Sequence, residues 1–63
     1  MDGKTVIKIL KKAGWLHVGT QGSHHKMKKN GFAPIIVPVH GKKDLKLGTL
    51  SSIEKATGVK LKS

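Results

Sequence analysis

Residues 24 to 40, HHKMKKNGFAPIIVPVH, carry the reading on which the fold turns: a short alternating stretch, a turn dipeptide and a β-rich stretch follow without a break. Asn30-Gly31 is a strong hairpin signal, because Asn and Gly both tolerate the positive φ of tight hairpin turns. Residues 24–29 then form one strand, and residues 33–40, with Ile35, Ile36, Val37 and Val39, form its antiparallel neighbour. Pro34 and Pro38 donate no backbone N–H, so this later strand belongs at a sheet edge. A strict two-residue loop sets Met27 opposite Pro34 and puts His24 on the apolar face. An added loop residue or a bulge instead sets Met27 among Ile35, Val37 and Val39, and His24 among Ile36, Pro38 and His40. The second register separates polar from apolar side chains and is the one expected.

Upstream of this hairpin, residues 4–13 read as a helix. Val6, Ile7, Leu10 and Ala13 recur at helical spacing, while Lys4, Lys8, Lys11 and Lys12 take the other faces. Asp2 suits the N-cap and Gly14 the left-handed position past the C-terminus, with Trp15 folding back on Leu10. Residues 15–19 form a first strand whose Leu16 and Val18 alternate with His17, and residues 20–23 a turn. Downstream, residues 41–46 form a basic loop. Residues 47–57 form a second helix with Leu47, Leu50, Ile53 and Thr57 on one face, closed by Gly58 and Val59. Residues 60–63 are expected to fray. The chain is one domain, residues 1–63, of the α+β class: an α-β-β-β-α order with a three-stranded antiparallel sheet and two helices on one face.

Thirteen lysines face three acids, Asp2, Asp44 and Glu54, for a formal charge of +10. That exceeds the roughly 2–8 charges usual for a small domain and calls for a polyanionic partner, nucleic acid foremost. Without arginine, bidentate reading of guanine is not available, so lysines acting as point charges on phosphate are expected. There is no cysteine, hence no disulfide and no thiolate zinc site. The N-terminal stretch MDGKTVIKILKKAGW lacks the apolar core of a signal peptide, and no apolar run approaches the ~20 residues of a membrane span. A soluble, cytoplasmic chain is expected, with no membrane contact.

The adjacent histidines are the chemical centre of the sequence. His24 and His25 point to opposite faces of a strand, so they do not share an ion; His17 and His40 would join a site only if the fold gathered them. Neither metal nor cofactor is expected. His25 shares the face of Met27 and reads as a half-buried histidine with a structural hydrogen bond. His24 shares the other face with Lys26 and Lys28, with Ser23 before it and His40 as a second imidazole. Histidine is the side chain that accepts and returns a proton near neutral pH. RNA cleavage by its own 2′-hydroxyl needs such a base, an acid for the departing 5′ oxygen, and cations for the charge on phosphorus. Lys26 and Lys28 are assigned to the nearest phosphate, with Lys42, Lys43 and Lys46 as outer contacts on a single-stranded RNA. The alternative is a non-catalytic basic nucleic-acid-binding module, in which His24 is dispensable.

Gly22-Ser23-His24-His25, then Val37-Pro38-Val39-His40, Leu47-Gly48-Thr49-Leu50-Ser51-Ser52-Ile53 and Thr57-Gly58-Val59 resemble, in that order, the HicA family of mRNA interferase toxins. The resemblance spans residues 4–59. It implies a double-stranded-RNA-binding-domain-like fold, catalysis by His24, and cleavage of messenger RNA that arrests growth. It also implies a paired HicB-type antitoxin that masks the site.

Overall fold

Asp2 opens the first helix, α1 (Gly3–Lys12), by accepting a hydrogen bond from the Thr5 N–H at 2.9 Å. The structure, a computed structural model, describes residues 1–61. At the far end of α1, Gly14 takes φ +97°, the Trp15 N–H donates to Leu10 O at 2.9 Å, and the Gly14 N–H to Lys11 O at 3.1 Å. These two bonds form the expected Schellman closure, and they bring Trp15 back onto Leu10, with both side chains buried. Lys29 completes the end by donating from Nζ to Ala13 O at 2.8 Å. The ammonium thus sits where the helix dipole is negative.

Three antiparallel strands follow, β1 (Leu16–Gln21), β2 (His24–Lys28) and β3 (Ile35–Pro38), in the spatial order β1-β2-β3, and then α2 (Leu47–Thr57). The order is the α-β-β-β-α one expected. Val6 and Leu10 of α1, Leu50 and Ile53 of α2, and Trp15, Met27, Val37 and Leu61 form one buried cluster, so one sheet face is covered by the helices. The Trp15 ring also meets Phe32 at 5.3 Å between centroids, so Phe32 packs on the indole. Among the described residues Trp15 Nε1 has no hydrogen-bond partner, a cost of about 1–3 kcal/mol that the indole's burial offsets.

β2 pairs with β3 in the register that segregates side chains: Met27 faces Ile35, His25 faces Val37, Lys26 faces Ile36 and His24 faces Pro38. The loop is six residues long, 29–34, with Phe32 N–H bonded to Lys29 O at 3.1 Å. Asn30 keeps a negative φ, so Asn30-Gly31 does not form the two-residue turn with both φ values positive. β3 is shorter than expected and ends at Pro38, after which the Val39 N–H bonds Ser23 O at 2.7 Å. β1 and β2 meet across Gly22-Ser23, with Gln21 opposite His24. Gly22 supplies the positive φ, 60°, at the first loop position of this two-residue turn, so β1 runs two residues beyond the expected 15–19.

Two expected placements of apolar side chains are also corrected. The first concerns β1, whose pairing shifts between His17 and Gly19: His17 faces Met27, and Leu16 faces Lys28. A bulge adds one residue and reverses the phase of everything before it. Leu16 and Val18 therefore stand exposed, and His17 takes the helix-side face. The second concerns Leu47, which shares the helical phase of Leu50 and Ile53 but is 72% exposed, because the core meets α2 only from Leu50 onward. At the tail, Leu61 is buried and its N–H donates to Glu54 Oε2 at 2.6 Å. The rest of the tail expected to fray, residues 62 and 63, lies outside the described residues.

Candidate functional site

The sheet face away from the helices carries His24, Lys26 and Lys28 of β2, all exposed. Alternate residues are about 6.8 Å apart along a strand, a spacing of the order of successive phosphates in an extended strand of RNA. Across β1 stand Gln21, Gly19 and Leu16, and across β3 stand Pro38 and Ile36. A groove of about 330 Å³ is lined by Gly19, Thr20, Gln21, His24, Lys26 and Ile36. Gly19 opens it: opposite Lys26, it has no side chain to fill the space, and a Cβ there would meet nothing within 4 Å. Ser23 is half-buried in the turn, and its carbonyl tethers Val39, fixing the start of the strand that carries His24.

None of the three acidic side chains lines this groove. Asp2 caps α1; Asp44 pairs with the Met1 ammonium at 3.0 Å; Glu54 holds the Leu61 N–H. Asp2 has its carboxyl held below the ordinary 3.8 by hydrogen bonds from Thr5, first from its side chain and then from its backbone. Among the described residues, no cluster of three or more His, Cys, Asp or Glu side chains forms a metal-binding group.

His40 and His24 line different grooves. His40 lies past the end of β3 and lines its groove with Pro38, Lys43, Asp44, Lys46 and Thr49. Lys42, Lys43 and Lys46 are exposed in the loop before α2, whose N-terminus has no side-chain cap. The loop is pinned by the Leu45 N–H on Met1 O at 2.8 Å and by the pairing of Asp2 with Asp44. Its lysines thus form a second cationic region, beside the free N–H groups and positive dipole end of α2.

His25 is half-buried on the opposite face, as expected, and meets His17 and Thr20. The sequence reading overlooked Gly19, Gln21 and Thr20. An isolated glycine within a strand is the one signal that could have found the bulge and the groove.

The chain matches the family model for the HicA toxin of bacterial toxin–antitoxin systems over residues 3–59. It belongs to the HicA toxin family. The toxin is therefore one half of a toxin–antitoxin pair, and an antitoxin is its partner. No curated protein matches the toxin's sequence. No described helix of the toxin is long and apolar enough to cross a membrane.

Proposed function

We propose that the toxin is a metal-independent endoribonuclease that cleaves messenger RNA in the cytoplasm by acid/base catalysis at His24. One observation carries the reading: an exposed imidazole stands in a groove beside Lys26, on a face that Lys28 continues and that carries no carboxylate. His24 takes the proton of a 2′-hydroxyl. The 2′ oxygen attacks the adjacent phosphorus, and the 5′ oxygen leaves with a proton supplied within the groove. The products are a 2′,3′-cyclic phosphate and a 5′-hydroxyl. Lys26 and Lys28 stabilise the charge that builds on the phosphoryl oxygens, and DNA, lacking the 2′-hydroxyl, is not cut. Lys42, Lys43 and Lys46 hold the strand further along.

The same face explains how an antitoxin of the HicB type silences the toxin. Leu16, Val18 and Ile36 stand exposed on or beside it, apolar surface interleaved with lysine. A partner with apolar anchors and an acidic rim fits that pattern and buries His24.

The test compares the wild type with His24→Ala on labelled single-stranded RNA in excess EDTA, with binding measured alongside cleavage. Cleavage to cyclic-phosphate ends, lost in the variant while affinity persists, is the expected result. Tight binding without cleavage by either protein would leave a basic binding module in place of the enzyme.

A further inference from the structure

We propose that His17, Thr20 and His25 form a binding site for a late first-row divalent cation (Zn²⁺, Ni²⁺ or Cu²⁺) on the helix-side face of the β1–β2 hairpin. The site is distinct from the His24 groove and plays no part in the cleavage proposed above. It exists because of the bulge at Val18. Without that bulge the pairing would put Val18 opposite Met27 and turn His17 to the other face; with it, His17 and His25 share one face across two strands.

Three donor atoms converge there. His17 Nε2 lies 3.2 Å from His25 Nδ1 and 2.8 Å from Thr20 Oγ1, which is 3.4 Å from His25 Nδ1. Each unprotonated imidazole nitrogen carries one lone pair, and the hydroxyl has one hydrogen. Hydrogen bonding therefore satisfies two sides of this triangle in full, and the third only by sharing a hydrogen.

The ring geometry suits a chelating pair, and departs from a linear hydrogen bond between the rings. The ring centroids are 5.0 Å apart with planes inclined by 25°. A linear N–H···N bond of 3.2 Å would place them about 5.5 Å apart, since each nitrogen lies roughly 1.15 Å from its own ring centre. An ion about 2.05 Å from both nitrogens, the usual zinc–imidazole length, subtends about 100° at the observed 3.2 Å and puts the centroids about 5.0 Å apart. The three donors lie on a circle of about 1.8 Å radius, so an ion ~2.1 Å from each sits about 1 Å above their plane, as on one face of a coordination polyhedron. Two imidazoles and a hydroxyl select zinc, nickel or copper over magnesium or calcium, which take oxygen ligands. His17 and Thr20 are exposed, which leaves the remaining coordination positions to water. Lys26 and Lys28 point from the opposite sheet face, which limits their repulsion of the ion.

The test uses the full chain without a polyhistidine tag, titrated calorimetrically with Zn²⁺ and Ni²⁺ alone. One ion per chain is expected, with affinity weakened at least ~10-fold in His17→Gln and in His25→Gln, and kept in His24→Gln and His40→Gln. Bound ion would also raise the wild-type melting temperature with increasing ion concentration. Paramagnetic Cu²⁺ reads the site without substitution: it should broaden the imidazole resonances of His17 and His25 before those of His24 and His40. No binding at millimolar ion, binding that survives both His17→Gln and His25→Gln, or first broadening at His24 or His40 would overturn the proposal.

Discussion

His24→Gln keeps a hydrogen-bonding side chain of similar size but cannot carry a proton between pH values near neutrality. It should lower the cleavage rate by about 10²–10⁴, the usual contribution of one general base, while single-strand RNA affinity stays within about threefold. Gly19 gives the complementary test from the other side of the groove. Its φ is not positive and a Cβ has open space, so Gly19→Val suits both the strand and the fold. The same side chain fills the hollow beside His24. A melting temperature at or above that of the wild type, with cleavage reduced at least ~10-fold, is expected from a substitution that blocks the site without harming the core. Unchanged cleavage would remove the groove from the mechanism.

The elements hold together through local devices that the sequence shows openly. Asp2, Gly14 and Trp15 each bond a residue only three to five positions away, so cap, left-handed turn and ring closure were legible without tertiary knowledge. Gly14→Ala should cost about 1–2 kcal/mol in urea unfolding, since an L-residue is strained at that positive φ. Asp2 makes the same helix acid-sensitive. Its folded-state pKa is lowered, so its contribution is present above the unfolded value near 3.8 and is lost as pH falls through the lower folded value. Asp2→Asn keeps a good cap, and the decline in stability below about pH 4 should flatten in urea melts. The phase of β1 was illegible for a physical reason. Leu16, His17 and Val18 alternate in the chain, but the extra residue at Val18 reverses which of them faces the core, and that depends on β2 already being in place. The face of His24 was readable because Met27 fixed the phase of β2. The meeting of His17 with His25 was not, because it follows from the bulge. The length of β3 was not legible: the register is the expected one, but the strand stops at Pro38 before reaching His40.

For the whole molecule, the deciding quantity is charge left unspent. All three acidic side chains are engaged near α1, the N-terminus and α2, which leaves the lysines of the open sheet face without acidic side chains in the groove. Engagement of about four or five phosphates by single-stranded RNA should give a slope of log K against log salt of about −3 to −3.5. α1 displays a rival basic surface, with Lys4, Lys8, Lys11 and Lys12 all exposed. The two surfaces are separable. If RNA lies along β2, Lys26→Ala with Lys28→Ala should make the slope shallower by about 1.4, because each phosphate contact on a single strand contributes about 0.7. Affinity should fall equally for unrelated sequences, since a lysine on phosphate reads no base. Lys4→Ala with Lys8→Ala removes the same charge, so net-charge effects cancel in the comparison. That double variant should leave the slope and the cleavage rate close to wild type, as measured by fluorescence anisotropy across a salt series. The opposite pattern would move the RNA onto α1 and leave His24 facing away from it.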